Sequence, residues 1–317
     1  VMYRVGICRH FGGNQNFLDG QTIKTRIMTE GLQRAIGQES IKTIDTYRWK
    51  HNPINLFIES YNLIRECKNI IILPAHKGVM VFVPLFLLLS KLFHRKLHYV
   101  VIGGWLPELL ERNTKLKNKL CKFDGIYVET HIMTEALRTL GVMNVIYLPN
   151  FKRLNILREN ELIYTTEEPY KLCIFSRVMK EKGIEDAIEA VKTVNETMCR
   201  EVYTLDIYGQ VDERYKERFE EIKDDFPKYV SYKGFVNFKD SVKVLKGYFV
   251  LLFPTHFKTE GIPGTIIDAY AAGVPVFASQ WDSANEIIAQ DITGFVYDFK
   301  QKSKLEELLL LAFKEQI

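Results

Sequence analysis

FVLLFPTHFKTEGIPGTIIDAYAAGVPVFAS, Phe249 to Ser279, is the stretch on which the fold turns. It opens on FVLLFP and closes on VPVFAS, two uncharged runs of the kind that form strands buried on both faces. Between them TIIDAYAAG has helical apolar spacing and is entered through Gly261, Pro263 and Gly264. A strand, a helix and a second strand over this length make a parallel crossover unit. Two carboxylates bracket its turn: Glu260 lies in the loop, and Asp268 comes about one helical turn after the helix begins. Ligands of such sheets gather where strands end and helices start. Backbone amides there can meet a phosphate while carboxylates accept hydrogen bonds from a sugar and a second polyol. Local readings of the same residues stand beside this one: Asp268 complements the helix dipole, and Glu260 caps the turn.

Outward from this unit the rhythm repeats. Upstream lie the strand KLCIFSRV, the helix GIEDAIEAVKTV, the strand YTLDIYG, the charged helix ERYKERFEEIK, the strand VSYKGFV and the helix DSVKVLKGY; downstream is the helix KLEELLLLAF. The first half alternates in the same way: YRVGIC, a helix from about Asp19 to Ile36, NIIILP, a helix through VPLFLLLSKLF, LHYVVIGG, GIYVE, the helix HIMTEALRTLG and VIYLPN. Between the halves, NFKRLNILRENELIYTTEEPY is polar enough for a linker. The alternation predicts an α/β protein of two doubly wound parallel-sheet domains, 1–155 and 156–317, with a ligand cleft between them.

Composition agrees. With 317 residues, 47% hydrophobic and 26% charged, the chain is globular, and disordered or fibrous classes drop out. Its five cysteines, Cys8, Cys67, Cys121, Cys173 and Cys199, include no C-x-x-C pair, so neither a disulfide framework nor a zinc knuckle is expected. The opening MYRVGICRHFGG reads as a strand running into a glycine loop instead of a signal peptide, which favours a cytoplasmic protein. Over residues 1–155, 22 Lys and Arg face 11 Asp and Glu; over the remainder 21 face 28. The halves therefore carry +11 and −7 within a total of +4. Opposite fields point to different partners. The apolar run Val79–Phe93 is too short to span a bilayer and reads as a buried or half-buried helix. A second reading lays it in a membrane surface, since Arg95 and Lys96 follow it and Lys115, Lys117, Lys119 and Lys122 are near in sequence.

FSRVMKEKGIEDAIEAV places Arg177, Lys180 and Lys182 in a loop leaving a strand, with Gly183 before a helix whose N-terminus favours an anion. An arginine fork and a lysine point charge suit a diphosphate that gains charge as it leaves, although a solvated turn capping a helix has the same composition. FGGNQNFLDGQ is a second loop after a strand, where Gly12 and Gly13 permit close backbone approach.

FSRVMKEKG, LDIYG, VSYKGFV and EGIPGTIIDAYAAGVPVFAS, followed by NEII and TGFV, resemble glycosyltransferase family four, the retaining, nucleotide-sugar-dependent enzymes of the GT-B fold. The similarity is strong over about Tyr170 to Val296 and loose before residue 155, where Gly12, Gly13 and the LPN of Leu148–Asn150 carry it. The resemblance implies that Glu260, Arg177 and Lys182 are catalytic. Arg177 and Lys182 would hold the diphosphate, Glu260 would contact donor-sugar hydroxyls, and Asp268 would stand where relatives place a glutamate on the ribose. Gly209, Gly261, Ile262, Pro263 and Gly264 would complete the donor site. Gly12, Gly13, Asp19, Gly103 and Gly104 would form an acceptor or diphosphate loop, Gly103 and Gly104 lying where many relatives carry a histidine. A C-terminal helix crossing back to the first domain is implied but does not follow KLEELLLLAFKEQI.

The chemistry implied is sugar transfer with retention to a glycan hydroxyl, the acceptor being lipid-linked on a polyprenyl diphosphate, in bacterial surface polysaccharide synthesis. No metal and no cofactor beyond the nucleotide-sugar substrate is expected, since the chain has no D-x-D. Nucleic acid is not an expected partner; an anionic membrane is, on its cytoplasmic face. Two rivals remain. A dinucleotide oxidoreductase or epimerase needs G-x-G-x-x-G after the first strand, which FGGNQNFLDG lacks. An inactive sugar- or nucleotide-sugar-binding module of the same fold would separate from a transferase by the absence of nucleotide release.

Overall fold

The computed structural model describes residues 2–9, 20–47, 51–165, 167–301 and 303–315. The chain forms two compact units, Val1–Lys152 and Arg153–Ile317.

The first unit holds β1 (Tyr3–Arg9), α1 (Gly20–Ile36), β2 (Ile41–Asp45), α2 (Pro53–Glu66), β3 (Cys67–Ile72), α3 (Val79–Phe93), β4 (Lys96–Val100), α4 (Leu106–Arg112), α5 (Thr114–Leu120), β5 (Gly125–Val128), α6 (His131–Thr139) and β6 (Val145–Tyr147). Its six strands are parallel in the order β2-β1-β3-β4-β5-β6. Ile70, Ile72, Tyr99 and Ile126 pack on one face with Phe82 and Phe86 of α3 and Leu63 of α2. Ile7, Leu73 and Val100 pack with Met28 and Leu32 of α1 in a second cluster. The strand β2 and the helices α2, α4 and α5 extend the rhythm read from the sequence.

The second unit holds β7 (Tyr170–Phe175), α7 (Ile184–Thr197), β8 (Tyr203–Tyr208), α8 (Lys216–Asp224), β9 (Val230–Gly234), α9 (Ser241–Leu245), β10 (Val250–Phe253), α10 (Gly264–Ala271), β11 (Val276–Ser279), α11 (Ala284–Ile287), β12 (Gly294–Tyr297) and α12 (Ser303–Glu315). All six strands are again parallel, in the order β12-β11-β10-β7-β8-β9. The sheet is covered on both faces: Val250 and Leu252 face the cluster of α7, α8 and α12, whereas Leu251 and Phe253 face that of α9, α10 and α11. Such coverage is why the central strands read as unbroken apolar runs.

The polar stretch before β7 is more than a connector. The Leu157 amide donates to the Ala271 carbonyl (2.9 Å), and Thr165 Oγ1 donates to the Gly247 carbonyl (2.9 Å). Leu162 lies over Gly273, where an added Cβ would come within 2.4 Å of its Cδ2. Leu154 and Leu157 pack on the α10 cluster, so the second unit starts at Arg153.

Candidate active site

Strand order locates the site. In the second sheet the chain winds outward from β7 through β8 to β9, then returns to place β10 on the other side of β7. The loops that leave β7 and β10 therefore diverge at a topological switch point, where doubly wound sheets open a crevice for ligands. Arg177 and Lys182 leave β7; Glu260 leaves β10.

Residues Lys180–Lys182 form a single 3-10 turn, which Gly183 ends at φ 68°. A Cβ on Gly183 would lie 2.0 Å from the Pro254 carbonyl oxygen, so only glycine lets the two loops approach this closely. The His256 amide donates to the Glu181 carbonyl (2.8 Å) and locks that approach. Lys182 Nζ consequently reaches across to ion-pair with Glu260 Oε1. Both side chains are mostly buried, at 15% and 16% exposure. The ammonium stands 5.1 Å from each of the ring centroids of Phe253 and Phe257, a cation–π setting that strengthens as water is excluded. Thr255 Oγ1 donates to the same Glu260 oxygen (2.9 Å), and Ser283 Oγ donates to the Glu260 carbonyl (3.4 Å). From Glu260 the loop passes Gly261, Ile262 and Pro263 into α10, which begins at Gly264.

Arg177 is held differently. Its Nε contacts Asp212 Oδ2 at 3.2 Å, and its side chain is half exposed. Asp212 is buried and also accepts from Arg214 Nε (3.0 Å); that hydrogen bond, helped by the Arg177 charge, holds its carboxyl below the ordinary aspartate range. The loops after β7 and β8 cross here through hydrogen bonds from Val178 N to Gln210 O and from Asp212 N to Val178 O, both 2.9 Å. Gly209 makes the crossing possible: at φ 139° a Cβ would lie 1.7 Å from the Ser176 carbonyl oxygen. Its amide donates to Gly234 O and its carbonyl accepts from the Tyr232 hydroxyl.

Asp268 is the fifth residue of α10 and is 2% exposed. Ser241 Oγ, at the start of α9, donates to its Oδ1 at 3.0 Å. Sequence reading placed Asp268 correctly on the helix but missed Ser241, Thr255, Asp212 and the two phenylalanines. Only Thr255 carries a local signal, a hydroxyl just beyond a strand end.

In the first unit, Gly12, Gly13 and Asp19 lie outside the described residues. Gly103 adopts φ 81° and, with Gly104, follows β4. His98 is half-buried within β4 beside the Tyr127 hydroxyl (3.3 Å), and burial lowers its pKa. A buried pair that sequence reading missed, Lys24 of α1 with Glu129 just after β5, sits at the C-terminal end of that sheet; burial makes the Lys24 charge easier to lose. A cavity of 560 Å³ beside Lys180, Gly183, Asp186, His256 and Phe299 is separate from the ion pair, since none of Arg177, Lys182, Glu260 or Asp268 lines it.

Residues 158–317 match the family described as Glycosyl transferases group 1. The chain is 23% identical over 262 residues to an uncharacterized 41.2 kDa protein in the cps region of Klebsiella pneumoniae, covering 75% of this chain and 68% of that one. It is 24% identical over 147 residues to the amylovoran biosynthesis glycosyltransferase AmsK of Erwinia amylovora, covering 45% of this chain and 36% of AmsK. Among solved structures, Anabaena Alr3699/HepE in complex with UDP superposes with a TM-score of 0.73 at 13% identity, over 99% of this chain and 90% of that one.

Proposed function

The chain belongs to the glycosyl transferases group 1 family and has the GT-B fold, and from that premise we propose that it transfers a sugar, with retention, from a uridine diphosphate donor to a hydroxyl of a lipid-linked glycan. Bacterial surface polysaccharide is the proposed product, in line with the cps-region and amylovoran relatives. A lipid-linked acceptor in turn stations the enzyme at the cytoplasmic face of an anionic membrane. The first unit would take the acceptor and the second the donor.

One observation carries the reading: a lysine and a glutamate from two diverging strand ends meet, mostly buried, with the lysine ammonium over two aromatic rings. An ammonium held this way is preorganised, and an incoming diphosphate gains it by exchange with Glu260. Released from Lys182, Glu260 turns its acceptor oxygens to sugar hydroxyls. As the bond from the anomeric carbon to the phosphate oxygen breaks, charge grows on the diphosphate, where Lys182 and Arg177 oppose it. The acceptor oxygen bonds to the same face of the anomeric carbon, and its proton passes to the departing phosphate oxygen. Gly261 to Gly264 supply the backbone that comes closest to the donor.

Mass spectrometry of a panel of UDP-sugars incubated with lipid-linked acceptor analogues tests this, with the anomeric configuration of the product read by NMR. The charge compensation assigned to Lys182 and Arg177 needs no divalent ion, so turnover should survive EDTA. Loss of turnover in EDTA with rescue by magnesium or manganese would refute that part. Nucleotide binding without release under every donor would leave the inactive binding module.

Asp268 is assigned to the ribose, which does not change during reaction. Contacts that stay constant affect binding alone. Asp268→Asn should therefore raise the donor KM about ten-fold with little change in kcat. A fall in Tm with KM unchanged would make Asp268 a purely structural partner of Ser241.

A further inference from the structure

The helix α3 is apolar on both sides. Phe82, Val83, Phe86 and Leu89 face the core, as in any helix packed on a sheet. Its outward stripe is Met80, Val81, Pro84, Leu88, Lys91 and Leu92, with Leu88 66% and Leu92 65% exposed. Beside it α2 exposes Ile54, Phe57 and Ile58, and the rings of Tyr61 and Phe93 meet at 5.4 Å to join the two helices. At the other end Asn113, which caps α5, lies 3.5 Å from Met80 Sδ. Two neighbouring helices thus expose apolar side chains where a solvated helix would put charge.

Its border is basic. Lys115, Lys117 and Lys119 lie on α5, Lys122 follows it, and Lys91 closes α3; none has an ion-pair partner among the described residues. In the second unit Arg200, Arg218, Lys223 and Lys304 pair with glutamates, whereas Lys171, Lys228 and Lys239 are exposed and make no ion pair among the described residues. Of the acids near the patch, Glu66 pairs with Lys42 and Arg65 and Glu108 with Arg112, while Glu59 of α2 accepts from the Asn55 side chain at 3.0 Å and Glu111 is exposed. Arg95 is not a border cation, because it donates to the Ile64 and Arg65 carbonyls at the end of α2.

We propose that the outward faces of α2 and α3 seat on an anionic bilayer, the apolar side chains entering the headgroup boundary and the five lysines meeting lipid phosphates. The inference draws its purpose from the lipid-linked acceptor proposed above, although the surface stands without it. Charge selects the occupant. A self-complementary contact with a second copy would set the two lysine borders against each other, whereas an anionic headgroup layer neutralises them. At 15 residues α3 is too short to cross the hydrocarbon and lies along the surface.

Flotation of the whole chain with vesicles tests this, using phosphatidylcholine alone or mixed with phosphatidylglycerol. Binding should require the anionic lipid and weaken with salt. Each Lys→Gln change among Lys115, Lys117, Lys119 and Lys122 should lower the partition coefficient about five-fold. Leu88→Glu with Leu92→Glu should abolish binding while leaving Tm and stabilisation by UDP at parental values. Equal binding to neutral vesicles, or binding that survives the double glutamate variant, would overturn the proposal. So would a dimer in sedimentation that the same variant turns monomeric. Flotation without any stabilisation by UDP would refute the donor reading and leave this surface standing; stabilisation by UDP without flotation would do the reverse.

Discussion

Lys182→Ala and Arg177→Ala should each lower kcat about 10²–10³-fold, the effect of removing one preorganised contact to charge that grows in the transition state. Lys182 has the stronger case because its ammonium is fixed before any donor arrives, by Glu260 and by the rings of Phe253 and Phe257. Arg177 is anchored through Nε on a buried aspartate, and its exposed guanidinium has further donors to present. Truncating Lys182 leaves Glu260 with Thr255 as partner, so some loss of stability accompanies it. The comparison must be made on variants that remain folded at the assay temperature. Steady-state kinetics with the best donor decide the matter: folded variants that turn over at the parental rate would remove both residues from the chemistry. Glu260→Gln should lower kcat and raise KM together, since it loosens both the lysine and the sugar.

Gly209→Ala should cost about 3 kcal/mol, or about 6–12 °C in Tm, because the backbone angle and the space are both closed to a side chain. The obstruction is the Ser176 carbonyl, which is backbone and cannot swing aside. Relief requires separating the loops after β7 and β8, and those loops carry Arg177 and its anchor Asp212. Donor affinity should therefore fall along with stability. Calorimetry giving a Tm within about 2 °C of the parent would mean that the crossing has slack.

The sheets were legible because parallel strands buried on both faces leave uncharged runs such as FVLLFP and NIIILP. What escaped was short or broke the pattern. IKTID alternates around Lys42 and Asp45, and GFVY is only four residues long. PINLFIESYNLIRE hides its helical period because Ile54, Phe57 and Ile58 point outward. Within the site Lys182, Arg177, Glu260 and Asp268 could be picked out, since charged residues at strand ends stand apart from the apolar runs. Their partners could not be. Lys182 and Glu260 lie 78 positions apart, a gap closed only by the strand order, and nothing local to DSVKVLKGY marks Ser241 as the group that holds Asp268.

The strap from Arg153 to Thr165 bears on how such proteins can be recombined. Composition invites a cut just before Tyr170, yet that cut would strip Leu157 from Ala271, Leu162 from Gly273 and Thr165 from Gly247, baring the rear of the helix that follows Glu260. A donor half exchanged between relatives has to travel with its strap. The shared family sequence, which begins at residue 158, starts within this strap and not at the first strand. A junction placed at the first unit's last residues would keep the swapped half whole, and one placed at the next strand would deliver a sheet with its site already loosened.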